Sequence, residues 1–127
     1  SNQPVTLVAD GSHQHSFISM EDVAAFTIAS IGRSPVFNQR LILGGPQAVS
    51  WRDIVAIFSR VVGKDIPIRT ILPGEPLPGL PEIVPPTLAA METYDSVITM
   101  AETARLLGVT QLPLAAVVRK MLGIVNE

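Results

Sequence analysis

The segment Ser16-Phe-Ile-Ser-Met-Glu-Asp-Val-Ala-Ala-Phe26 decides the fold of this chain, because it reads as a short strand that runs directly into a helix. Its first three residues predict the strand. Ser19, followed three residues later by Asp22, has nearly the spacing of a capping box at a helix start. We expect the helix to run from about residue 20 to residue 31 and to end at Gly32, since glycine favours the left-handed conformation that closes helices.

The same order of strand and capped helix returns further along the chain. Arg40-Leu-Ile-Leu43 predicts a second strand, Ser50-Trp-Arg-Asp53 begins a helix over residues 51–62, and Ile66-Pro-Ile-Arg-Thr-Ile71 predicts a third strand. An extended segment over residues 4–10 precedes them, and the further helices are predicted over 87–94, from a Thr99–Glu102 capping box to Leu107, and after Pro113. This pattern predicts an α/β fold: a small mixed domain of about three short strands and four to five helices.

The stretch between the third strand and the next helix has a different composition. Residues 73–86 contain six prolines and two glycines, which exclude a regular helix over most of the segment. A connection of this length inside a small domain is usually functional or disordered. We therefore predict a proline-rich loop or lid over residues 73–86.

The composition of the chain limits the classes of protein to which it can belong. A chain of 127 residues with 47% hydrophobic and 16% charged residues has the size and apolar content of one packed domain. A net charge of −2 with dispersed basic residues excludes a nucleic-acid partner. No apolar run approaches the about 18–20 residues that span a bilayer, which argues against a membrane partner. The absence of cysteine fits a cytoplasmic protein, and the high apolar fraction favours a homodimer as one candidate assembly.

Segments 16–26 and 40–53, together with Tyr94–Val109, resemble the C-terminal half of an atypical or extended short-chain dehydrogenase/reductase, the group that includes NmrA-like and epimerase/dehydratase proteins. The resemblance implies the C-terminal portion of a Rossmann-type reductase, with a parent protein that uses NAD or NADP. Neither a glycine-rich phosphate loop nor a Tyr-x-x-x-Lys pair occurs in the chain. We therefore expect residues 1–127 to be a single substrate-binding part that is inert without its nucleotide-binding domain.

The resemblance also implies where substrate is bound. The family places the segment that holds His13, His15 and Phe17 at the junction of its two domains, and it closes the region of Met91 and Tyr94 over the substrate. These five residues are the predicted substrate contacts. In sugar-nucleotide epimerases the position of His15 is often an arginine that contacts a substrate phosphate, so the histidine weakens the case for such a substrate.

We predict no catalytic, cofactor-binding or metal-binding residue in the chain. His13 and His15 have only Asp10 nearby as a further ligand, which is too few for a metal site. Three other candidates have structural interpretations: Asp22 and Asp53 as carboxylates at helix starts, Gly44-Gly45 as a turn that ends a strand, and Trp51 as a packing anchor that could also line a pocket. Met100 is a further candidate for the substrate wall, and ordinary packing is its alternative.

Two other functions fit the same residues. Some NmrA-like proteins act as redox-sensing regulators that bind dinucleotide without turnover, and this half would then serve protein contacts. The chain could also be a free-standing ligand-binding or dimerisation domain. A small-molecule substrate and the chain's own nucleotide-binding domain are the expected partners in the leading interpretation.

Overall fold

The computed structural model describes residues 3–124, which divide into two compact units. The first unit contains residues 3–15 and Val49–Ser96, and the second contains Ser16–Ala48 and residues 97–124. In chain order the elements are β1 (Val5–Val8), α1 (Met20–Ser30), a short 3₁₀ helix (Ser34–Val36), α2 (Trp51–Val62), β2 (Ile68–Ile71), α3 (Val84–Met91), α4 (Ala101–Leu107) and α5 (Leu114–Met121). The single domain expected from the sequence stays a prediction.

The first unit is built on a parallel pair of strands. β1 pairs with β2 in a register that sets Val5 opposite Ile68 and Val8 opposite Ile71. The ladder starts after Pro67, which has no N–H to donate but whose carbonyl accepts from the Val5 N–H at 2.9 Å. The third predicted strand therefore begins at residue 68 instead of 66. Helix α3 packs against β1, and the buried apolar residues of this unit are Leu7, Val8, Val49, Val55 and Ile57.

The second unit packs α1 against α4 around an aliphatic core with one phenylalanine. Phe26 is only 2% exposed, and it clusters with Val36, Met100 and Leu107. Met100, which the sequence offered as part of a substrate wall, belongs to this core. Within residues 3–124, none of the helices combines the length and apolarity that crossing a membrane requires.

The predicted α/β class with four to five helices is confirmed, but two predicted strands are wrong. Residues 16–18 and 40–43 form no strand ladder in the part of the chain that the structure describes. Single contacts replace a ladder: the Gly45 N–H donates to the Ser16 carbonyl at 2.9 Å, and the Ile98 N–H donates to Ser16 Oγ at 2.9 Å. Leu41 and Ile42 are 36% and 67% exposed, so the apolar segment 40–43 lies outside the core as well as outside the ladder, and two strands form among the described residues instead of three.

Helices α3 and α4 start differently from what the sequence predicts. α3 begins at Val84, three residues before the predicted start, because Pro85 and Pro86 occupy its first turn, where a missing N–H breaks no helical bond. α4 begins at Ala101 after Met100, which gives no side-chain cap, so the capping box predicted over 99–102 is wrong. The loop prediction holds up to residue 83, and the lid stays a prediction.

Candidate functional site

A small apolar pocket lies in the first unit. It has a volume of about 170 Å³ and is enclosed by β1, the start of α2 and the end of α3. The residues that line it are Val5, Thr6, Leu7, Val8, Trp51, Leu88 and Glu92. Ligand sites in proteins are typically apolar concavities with few polar groups, so this pocket is the candidate binding site.

Local hydrogen bonds fix the tryptophan wall of the pocket. Trp51 is the first residue of α2, and the helix start is closed by a full capping box: Ser50 Oγ accepts from the Asp53 N–H at 3.1 Å, while Asp53 Oδ2 accepts from the Ser50 N–H at 2.9 Å. Arg52 ties the same turn to the loop after β1, because its Nε donates to the Asp10 carbonyl at 2.6 Å. The structural interpretation of Asp53 is confirmed, and Trp51 does line a pocket.

Glu92 is the acidic residue of the pocket wall and follows directly on the last turn of α3. Both of its carboxylate oxygens are buried, and neither has a hydrogen-bond partner among the described residues. Burial of a polar group without a partner is costly, and the cost is larger for an ionised group. The C-terminal end of a helix carries partial negative charge, which also disfavours a carboxylate. A residue placed so unfavourably indicates a site adapted to something other than stability.

His15 holds the end of α3 that carries Glu92. Its ring is 3% exposed, and Nε2 lies 2.9 Å from the Met91 carbonyl oxygen, which can only accept, so Nε2 donates. Nδ1 lies 2.7 Å from Ser96 Oγ, and the ring meets Tyr94 edge-on with centroids 5.7 Å apart. Because both ring nitrogens are engaged, His15 acts as an internal brace and has no nitrogen left for proton transfer to a ligand.

Asp95 forms a second, exposed contact beside this brace. Its Oδ1 accepts from the Gln14 N–H at 2.8 Å and lies 3.0 Å from His13 Nδ1. The hydrogen bond from the Gln14 backbone, followed by that from His13, lowers the pKa of the Asp95 carboxyl group below its usual value. No group of three metal-ligating side chains occurs within residues 3–124.

Three of the five predicted substrate contacts therefore come together, but not in the pocket. His15, Met91 and Tyr94 meet through the contacts just described, next to the pocket residue Glu92, whereas His13 contacts Asp95. Phe17 belongs to the second unit, where its carbonyl oxygen lies against Gly45. Their role as substrate contacts stays a prediction.

Sequence reasoning missed Glu92 and Leu88. Their spacing of four residues puts both on one face of a helix, and an acid on an otherwise apolar face at a helix end was the available signal. The β1 residues carried no such signal, because an apolar strand reads as core.

The glycine pair at 44–45 is explained by packing. A Cβ atom on Gly45 would overlap the carbonyl oxygen of Phe17, and one on Gly44 would lie 2.8 Å from Ile98 Cβ. The chain's own atoms thus occupy the space that a phosphate cradle would need to leave open.

Curated sequence relatives are plant reductases. The chain is 29% identical over 72 residues to the bifunctional pinoresinol-lariciresinol reductase 2 of Linum usitatissimum and 32% identical over 73 residues to the bifunctional pinoresinol-lariciresinol reductase of Linum album. The matches cover 56% and 57% of this chain but 22% of each relative, so the chain spans about a fifth of their length. The matched part of the chain is thus similar in sequence to part of these reductases. No family model matches the chain.

Solved structures with similar folds also include reductases. The chain superposes on the NADPH-dependent quinone oxidoreductase of Escherichia coli with a TM-score of 0.73 at 19% identity, covering 92% of this chain and 46% of the enzyme. For the Citrobacter sp. triphenylmethane reductase complexed with NADP(H), the TM-score is 0.73 at 19% identity, with coverages of 91% and 44%. For the UDP-glucuronic acid 4-epimerase of Bacillus cereus in complex with NAD, it is 0.65 at 16% identity, with coverages of 92% and 32%. The chain therefore has the fold that these solved proteins show over about a third to a half of their length.

Proposed function

We propose that this chain is the substrate-binding part of an NAD(P)-dependent reductase of the atypical short-chain dehydrogenase/reductase group. Two facts support it: the sequence relatives are reductases more than twice as long as this chain, and solved proteins of the same fold hold NAD or NADP. The observation that carries the binding role is the apolar pocket of about 170 Å³ bounded by Trp51 and Glu92.

The described residues do not fit a dinucleotide. The glycine pair at 44–45 is filled by the chain itself, and residues 46–50 separate it from the start of α2. A pyrophosphate cradle instead needs a glycine-rich turn that opens directly onto a helix N-terminus. In this proposal the cofactor is bound by a nucleotide-binding domain elsewhere in the polypeptide, and this chain binds, orients and shields the substrate.

Helix α1 and its C-cap residue Ile31 supply a surface for that nucleotide-binding domain. Met20, Ile28 and Ile31 are 90%, 69% and 76% exposed, respectively. Apolar side chains left open in this number favour a covering protein surface. We infer that the nucleotide-binding domain of the same polypeptide covers them. A homodimer of the isolated chain, detected by sedimentation velocity and lost in Ile28→Glu, would favour self-association instead.

Binding can be read from the protein itself, because Trp51 is the single tryptophan and lines the pocket. Titration with toluene, an apolar ring without a donor, is expected to change the Trp51 fluorescence saturably. Leu88→Phe fills the pocket and should abolish the change, whereas Leu80→Phe, at an exposed leucine of the same unit, should leave it intact. NADPH should show no binding to the chain by equilibrium dialysis.

Failure of toluene to bind, or tight binding of NADPH, would contradict the proposal. Its second half is tested by the intact mass and N-terminal sequence of the natural polypeptide. We expect a chain longer by about 130–200 residues, the size of one nucleotide-binding domain. A natural chain that starts near Gln3 would leave only a free-standing binding domain.

A further inference from the structure

We propose that Glu92 makes this pocket selective for a single-ring ligand that carries a primary ammonium group. The proposal rests on the pocket being the ligand site proposed above. It starts from the two buried carboxylate oxygens, which have no hydrogen-bond partner among the described residues while lining a pocket open to a ligand. A donor on the ligand would give those buried oxygens the hydrogen bonds that the folded chain does not supply. Binding of such a ligand is therefore favoured by the removal of that cost.

The charge that complements Glu92 has to come from the ligand. The residues that line the pocket include no lysine, arginine or histidine. Glu92 also follows the C-terminal turn of α3, whose partial negative charge favours a cation at the same place. An anionic ligand would meet repulsion from both. A primary ammonium group offers three donors and a positive charge, which matches a carboxylate whose two buried oxygens have no hydrogen-bond partner among the described residues.

The remaining walls favour an aromatic or similarly flat body. Val5, Leu7 and Leu88 supply apolar surface, and the Trp51 ring can receive a cation or stack on a flat ligand. The volume of about 170 Å³ is close to the roughly 150 Å³ at which an apolar protein cavity holds one benzene ring. A dinucleotide or a sugar nucleotide is much too large for it.

A metal ion does not satisfy Glu92 equally well. Hard cations require several oxygen ligands, and no cluster of three His, Cys, Asp or Glu side chains occurs within residues 3–124. The apolar walls would leave most coordination positions of a bound ion empty. The organic cation is therefore the better occupant.

The test compares two ligands of equal size, benzylamine and benzyl alcohol, by the change in Trp51 fluorescence at neutral pH. We expect benzylamine to bind about tenfold more tightly, the lower end of what a hydrogen bond to a charged group contributes. Glu92→Gln should abolish this preference while still binding benzyl alcohol, which shows that the variant is folded with its pocket open. Glu82→Gln, at an exposed glutamate of the same unit outside the pocket, should keep it.

The outcomes separate the two proposals. Binding of benzyl alcohol without any preference for benzylamine, or a preference that survives Glu92→Gln, would overturn the inference about Glu92 and leave the pocket as a ligand site. Absence of binding by toluene, benzyl alcohol and benzylamine alike would overturn the pocket itself. A preference that is lost only in Glu92→Gln supports both.

Discussion

Each unit of this chain buries an acidic side chain, and the two surroundings differ. In the second unit Asp22 is 3% exposed and its carboxylate accepts from the Leu112 N–H at 3.1 Å, which ties α1 to the segment before α5. In the first unit the buried oxygens of Glu92 have no such donor among the described residues. A buried acid with a backbone donor is part of the scaffold, whereas one without a donor, lining a pocket, is a candidate for binding.

The largest expected effect tests how closely the second unit is packed. In Gly45→Ala the new methyl group would overlap the Phe17 carbonyl oxygen, a backbone atom that cannot rotate away. We expect the free energy of unfolding to fall by about 3 kcal/mol, at the upper end of overpacking costs, measured by urea denaturation.

Gly63→Ala is the matched control for that substitution. Its Cβ atom would meet nothing within 4 Å, so only the backbone strain at φ +73° remains, about 1 kcal/mol. Equal losses in the two variants would show that the segment around Gly45 relaxes and that the close approach is not required.

The second largest expected effect on stability concerns Asp22, the buried acid that accepts from a backbone donor. Asp22→Ala leaves the Leu112 N–H without its acceptor and should lower the free energy of unfolding by about 2 kcal/mol, the usual range for a hydrogen bond to a charged group. Asp22→Asn keeps one acceptor oxygen and should lose about half as much. If both variants unfold at the urea concentration of the unaltered chain, Asp22 does not anchor this unit.

Replacing Glu92, the buried acid without a hydrogen-bond partner among the described residues, should change the free energy of unfolding in the opposite direction. Glu92→Leu replaces a buried carboxylate by an apolar side chain of similar volume and is expected to raise the free energy of unfolding by about 1 kcal/mol, while the preference for benzylamine over benzyl alcohol is lost. Glu82→Leu, at an exposed position, should change stability by less than about 0.5 kcal/mol. A destabilised Glu92→Leu would mean that the carboxylate is held by a favourable contact in the folded chain.

Helices with clear local signals were predictable from the sequence. The bounds of α2 follow from Ser50, Asp53 and Gly63, because a cap and a left-handed glycine act within a few residues of the helix they limit. Strands need a partner that local sequence does not name. Residues 40–43 are as apolar as β2, yet only β2 lies beside β1, so one prediction was confirmed and the other was wrong.

The site was predictable only in part, for a related reason. The sequence marked His15, Met91 and Tyr94 as substrate contacts through a family resemblance, which stays a prediction, and the structure joins them around one buried ring. The sequence did not indicate that both ring nitrogens of His15 would be used internally, since their two hydrogen-bond partners, Met91 and Ser96, lie more than 70 residues away along the chain. The burial of Glu92 likewise depends on β1, which lies more than 80 residues earlier in the sequence.

The smallest expected effect distinguishes the exposed acid of the first unit from the buried one. The Gln14 N–H and His13 hold the pKa of Asp95 below its ordinary value near 3.8. Since the folded pKa is the lower one, Asp95 stabilises the fold fully above the unfolded value and loses this contribution as pH falls through the folded value. The carboxyl carbon shift of Asp95 in NMR should therefore titrate with a midpoint below the ordinary value of 3.8. His13→Ala should raise the midpoint only partly, because the Gln14 N–H is the larger cause. If His13→Ala restores the full ordinary pKa, the histidine and not the backbone controls Asp95.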